Sequence, residues 1–149
     1  MFLLFFLLEL KQRLVVGDLL WVRNVPMNLH VAKALFGKIG FDNILTADSG
    51  HTALALLETH PIDLILSDMW MPGMNGADLS AAIKSNPKHA HIPIVAQTAD
   101  VETGGNFDMS HFDAIILKPL TKQKLTTMVK RLIESPSPRP PATSPLHLG

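Results

Sequence analysis

Three residues in this chain have side chains that together could serve phosphoryl transfer, and each follows an apolar run. Asp68 comes after Leu64-Ile-Leu66, Thr98 after Ile92-Pro-Ile-Val-Ala-Gln97, and Lys118 after Ala114-Ile-Ile-Leu117. A carboxylate can attack phosphorus, an ammonium can neutralise the charge of the transferred group, and a hydroxyl can donate a hydrogen bond to it. Taken singly, each has an ordinary structural role: aspartate at a strand end forms turns, lysine before proline is solvated, and threonine binds local backbone. Their joint placement at the ends of three apolar runs is what points to chemistry.

The elements that must position them alternate along the chain. Leu19-Leu-Trp-Val22 is a first apolar run, and Leu29, Val31, Ala32, Leu35, Phe36 and Ile39 have the spacing of an amphipathic helix that Gly40 stops. Asn43–Ala47 reads as a second strand, and Ser49-Gly50 opens a helix that Pro61 ends. The third strand ends at Asp68, because Pro72, Gly73 and Gly76 break the chain just afterwards. Asn75 can cap a third helix, which Asn86-Pro87 terminates. After the fourth strand a short helix is predicted around Val101–Met109, weakened by Gly104 and Gly105 at about 1 kcal/mol each. Ala114–Leu117 is the fifth strand, and Thr121 can cap a last helix with Leu125, Met128, Val129, Leu132 and Ile133 inward. Strands that are apolar throughout and alternate with helices predict an α/β domain: a doubly wound, five-stranded parallel sheet with helices on both faces. Ligands of such sheets bind beyond the carboxyl ends of the strands, where Arg23, Asn24, Asp68, Thr98 and Lys118 fall.

Composition removes several other functions. The formal net charge is zero, so no broad field attracts nucleic acid. There is no cysteine, which excludes a disulfide framework, a thiolate zinc site and a cysteine nucleophile. The expected domain covers residues 18–134, between an apolar extension or linker at 1–17 and a proline-rich, mobile tail at 135–149. Met1–Leu8 is strongly apolar, but Glu9, Lys11 and Arg13 interrupt it well short of the about 20 residues of a membrane span. It also lacks the basic start and cleavage site of a secretory signal. An extra helix, the cut end of a linker and a remnant of cloning all remain open, and no membrane contact is expected of the domain itself.

The stretch Asp63-Leu-Ile-Leu-Ser-Asp-Met-Trp-Met-Pro-Gly-Met-Asn-Gly76, with Thr98-Ala99 and Lys118-Pro119 in order behind it, closely resembles the response regulator receiver family. These are the CheY-like phosphoacceptor domains of two-component signalling, and the resemblance runs from about Leu19 to Ile133. Val25-Pro26-Met27-Asn28 is similar to the same position in receivers of hybrid sensor histidine kinases. The resemblance implies a flavodoxin-like fold with Asp68 as phosphoacceptor, Thr98 as the hydroxyl that follows the phosphoryl group, and Lys118 as the ion-pairing lysine. It also implies a Mg²⁺ cofactor and a phosphohistidine donor on a histidine kinase or histidine phosphotransfer domain. The setting is then cytoplasmic, including the cytoplasmic part of a membrane-bound sensor. The chemistry is self-catalysed transfer to Asp68 and hydrolysis rather than that of a conventional enzyme.

Two departures qualify these implications. Receivers carry two acids right after the first strand, and Arg23 and Asn24 stand there instead, a change of about three charge units against a divalent ion. Asp68, the amide oxygen of Asn24 and the backbone carbonyl of Trp70 are expected to form at most a weak Mg²⁺ site. Arg23 either repels the ion and forks onto Asp68 in its place or points to solvent. Asp18 and Asp48 are poor substitutes, the first expected before strand one and the second after strand two. Ile115 also replaces the aromatic residue that receivers often carry three positions before the lysine. The face of the fourth and fifth predicted helices is the expected partner surface, including for a homodimer. Two readings follow: a phosphoacceptor with a weakened metal site, or a pseudo-receiver acting as a phosphorylation-independent interaction module. A flavodoxin-like phosphate esterase is disfavoured because no second acid flanks Asp68. His89-Ala-His91 reads as a pair of surface histidines rather than a metal site.

Overall fold

The computed structural model describes residues 17–23, 29–99, 107–134 and 146–148. These form β1 (Gly17–Val22), α1 (Leu29–Ile39), β2 (Phe41–Ala47), α2 (Gly50–Thr59), β3 (Leu64–Asp68), α3 (Gly76–Ser85), β4 (Ile94–Thr98), β5 (Ala114–Leu117), α4 (Lys122–Glu134) and β6 (Leu146–Leu148). All strand pairs are parallel, in the order β2-β1-β3-β4-β5-β6. The helix predicted around Val101–Met109 falls largely outside the described residues. Phe107 to Met109, which are described, are not helical.

Successive side chains of a strand point to opposite faces, and here both faces are apolar and covered. Leu20, Val22, Ile65, Ile94, Ala96 and Ile115 pack with Ala53 and Leu57 of α2 and Leu79 and Ile83 of α3. Leu19, Trp21, Leu66, Val95 and Ile116 pack on the other face with Phe36 of α1 and Leu125 and Met128 of α4. Trp21, Phe36 and Phe41 form an edge-to-face series with centroids 5.0 and 6.1 Å apart.

Helix ends lie where local chemistry puts them. Ser49 accepts from the Thr52 N–H at 3.1 Å, and the Lys124 N–H bonds Thr121 Oγ1 at 3.1 Å. Asn75 and Asp78 form a reciprocal capping box at the start of α3. Ahead of it, the Met74 N–H reaches the Pro72 carbonyl at 3.0 Å across Gly73, whose φ of 80° suits glycine.

Gly76 is required for a different reason. A Cβ there would lie 2.5 Å from the backbone oxygen of Asp68 and 3.0 Å from the Met69 Cα, so only hydrogen fits between α3 and the end of β3. Both neighbours are backbone and cannot rotate away. Gly76→Ala is expected to destabilise the fold by about 3 kcal/mol, lowering the melting temperature by about 10 °C. Thermal denaturation followed by circular dichroism checks this, and an unchanged midpoint would mean that the loop yields to the methyl group.

Three expectations need correction. Asp18 lies inside β1 rather than before it; its amide donates to Asp63 Oδ2 at 2.8 Å, and its carboxylate accepts from Asn43 Nδ2 at 2.9 Å. That places it at the end of the sheet opposite Asp68. His89 is buried, not on the surface, because the turn after Asn86 folds its segment back, with the His89 N–H on the Asn86 carbonyl at 2.9 Å. The proline-rich tail was read as mobile along its whole length, but Leu146–Leu148 adds a sixth strand alongside β5, in register from Ala114↔Leu146 to Ile116↔Leu148. The open edge of β5 supplies the unpaired backbone groups that make this pairing favourable.

Candidate functional site

Asp68 ends β3 with its side chain almost sealed, at 6 % residual exposure. Register brings its companions beside it. Asp68 pairs with Gln97 across β3 and β4, Thr98 pairs with Leu117 across β4 and β5, and the Lys118 N–H bonds the Thr98 carbonyl at 2.8 Å. Parallel pairing thus gathers residues 68, 97, 98 and 118 on one rim of the sheet. The peptide bond between Lys118 and Pro119 is cis.

Lys118 Nζ lies 3.1 Å from Asp68 Oδ1, with the lysine side chain 43 % exposed. Gln97 Nε2 donates to that same oxygen. Among the described residues no hydrogen bond or ion pair falls on Oδ2. Both donors on the carboxylate among the described residues are thus on one oxygen. Thr98 is buried at the end of β4, one residue beyond Gln97. Trp70, two residues past Asp68, is 62 % exposed and leans edge-on against Phe107 with centroids 4.9 Å apart.

Arg23 does not take the place proposed for it on Asp68. Among the described residues the ion pair on Asp68 is made by Lys118, and the Arg23 guanidinium carbon lies 4.4 Å from the centroid of the Trp21 ring. Two residues along an extended chain return to the same face, which puts Arg23 over Trp21, and the ring quadrupole attracts the cation. Asn24, the other residue at the metal position, lies outside the described residues. Ile115 is buried in the α2–α3 core, and Phe112 is fully buried beside it.

Gln97 is the site residue that sequence reasoning missed. It is 1 % exposed, and its Oε1 has no partner. The available signal was a primary amide inside a strand buried on both faces, where a polar side chain needs a specific partner.

Comparison with known proteins agrees with this geometry. A profile of the response regulator receiver domain matches residues 19–130. The chemotaxis protein CheY of Pseudomonas aeruginosa is 29 % identical over 123 residues, covering 81 % of this chain and 94 % of that protein. The sensor histidine kinase GacS of Pseudomonas protegens is 32 % identical over 115 residues, covering 74 % of this chain but only 12 % of that kinase. Among solved structures, the receiver domain of a sensor histidine kinase from Pseudomonas aeruginosa, described with a magnesium ion coordinated in its active site cleft, superimposes with a TM-score of 0.70. It is 23 % identical, and the superposition covers 79 % of this chain and 98 % of that one. An all-parallel sheet in the order β2-β1-β3-β4-β5-β6, an acid at the end of its third strand and a profile match over most of the chain lead to one assignment: this protein belongs to the response regulator receiver family of two-component signalling.

Proposed function

We propose that the domain is a phosphoacceptor in a two-component phosphorelay and takes a phosphoryl group from a phosphohistidine onto Asp68. The observation that carries this reading is the nearly sealed Asp68 carboxylate, with the Lys118 ammonium 3.1 Å from one of its oxygens. An oxygen of Asp68 attacks phosphorus, the P–N bond of the donor breaks, and its electron pair returns to the imidazole. Lys118 meets the charge of the arriving group, and the Thr98 hydroxyl donates a hydrogen bond to it. Hydrolysis of the acyl phosphate resets the site. The donor is a histidine kinase or histidine phosphotransfer domain on the cytoplasmic side of the membrane.

The residues at this rim do not suit Mg²⁺. The ion wants several hard, anionic oxygens in near-octahedral order. The described residues contain no cluster of three or more acids and histidines able to hold a metal. Arg23 stands where an acid would serve, and Asp68 Oδ1 is already taken by Lys118 and Gln97. The same double hold on Oδ1 favours a second reading, in which the domain is a pseudo-receiver that binds its partner without phosphorylation.

Incubation with acetyl phosphate followed by intact-mass measurement separates the two. The first reading expects the mass gain of one phosphoryl group, abolished by Asp68→Asn. No gain in the native protein supports the pseudo-receiver.

A further inference from the structure

We infer that Gln97 is a positioning residue for phosphoryl transfer: its amide, with Lys118, pins Oδ1 of Asp68 and leaves Oδ2 as the oxygen that attacks. The inference rests on the phosphoacceptor reading above and adds to it which oxygen reacts and what holds the other.

The contacts on Asp68 carry the argument. Both donors that the described residues place on Asp68, Lys118 Nζ and Gln97 Nε2, converge on Oδ1, and none of them is on Oδ2. An ionised carboxylate only accepts hydrogen bonds, so the Gln97 amide must turn its nitrogen toward it. That orientation leaves Oε1 without a partner in a side chain that is 1 % exposed. An apolar side chain would fill the space without stranding an acceptor, so the amide gains only its N–H on Asp68.

The two donors differ in what they can do during the reaction. Lys118 is 43 % exposed and has room to follow negative charge onto a phosphoryl group. Gln97 is locked in β4 beside its register partner Asp68, so its N–H stays on Oδ1. With acetyl phosphate as donor, the Oδ2–P bond forms and the P–O bond to acetate breaks, with its electron pair leaving on acetate. Oδ1 becomes the carbonyl oxygen of the acyl phosphate, still holding the Gln97 hydrogen bond, and no proton moves at Asp68.

The test compares the native protein with Gln97→Met, which keeps an unbranched chain of similar length and removes the donor. Initial labelling of Asp68 by acetyl phosphate, followed by intact mass, is expected to fall about tenfold or more, as for a reacting group no longer held in its attack geometry. The melting temperature is expected to hold or rise, because the stranded Oε1 leaves with the amide; a purely structural glutamine would not separate the two readouts in this way. In protein carrying ¹³C-aspartate, the carbonyl stretch of the acyl phosphate should move to higher wavenumber once the amide no longer draws on Oδ1. Gln97→Leu, of similar bulk and with no donor, should label as poorly and carries the comparison if Gln97→Met does not fold. Labelling of Gln97→Met at the native rate overturns the inference and leaves the phosphoacceptor reading standing. A native protein that takes no label overturns both.

Discussion

Replacing Arg23 and Asn24 together by aspartate is expected to tighten Mg²⁺ binding by about a hundredfold or more. The change takes those two positions from one positive charge to two negative charges, three units in all. For a divalent ion about 5 Å away, each unit is worth roughly 1.7 kcal/mol in a water-like dielectric. Three units amount to about 5 kcal/mol, and if screening and ion dehydration leave about half of it, the gain is roughly a hundredfold. Trp70 is the reporter, since it lies two residues past Asp68 and is mostly exposed, whereas Trp21 is sealed in the core. A double variant that binds Mg²⁺ no better than the native protein would show that Arg23 and Asn24 do not limit metal binding.

Removing the Lys118 ammonium should cost nearly as much in rate. Lys118→Ala leaves Asp68, almost sealed, with the neutral Gln97 amide as its remaining donor, and leaves an arriving phosphoryl group without its cation. Loss of a preorganised charge at such a site slows reaction by about 10² to 10³, so labelling by acetyl phosphate should fall by that factor. Lys118→Arg should recover only part of it, because a planar guanidinium cannot occupy the position of a compact ammonium. Labelling of Lys118→Ala within threefold of the native rate would remove Lys118 from the transfer step. Thermal melting of the same variant separates a catalytic loss from a folding defect.

Much of the scaffold was legible because the signals were local. The apolar run Ala114–Leu117 is β5 to the residue, and α1 spans the helical spacing from Leu29 to Ile39, with Gly40 behind it. Ser49, Asn75 and Thr121 cap helices through hydrogen bonds spanning three residues, which the sequence displays directly. Asp68, Thr98 and Lys118 stand out as candidates for the related reason that the carboxyl end of a strand is a sequence position. What stayed hidden depended on distant partners. Gln97 looked like the polar end of an apolar run, and only the register Asp68↔Gln97 turns its amide into a ligand of the carboxylate. Arg23 could be placed near Asp68, but whether it would choose the carboxylate or the Trp21 face was a contest between neighbours that spacing does not decide. Leu146–Leu148 carried too few residues to read as a strand until the β5 edge was there to receive it.

The strand order also bears on how the molecule is made. Residues 17–68 supply β2, β1 and β3, three neighbours in the sheet, and the ribosome makes Asp68 before any of its companions. Asp68 ends the last strand of that segment, on the edge awaiting β4. Its companions Gln97, Thr98 and Lys118 come only with the strands that follow. A nascent or truncated chain ending before β5 therefore carries the aspartate without its lysine, and the site is complete only once both halves of the sheet are present.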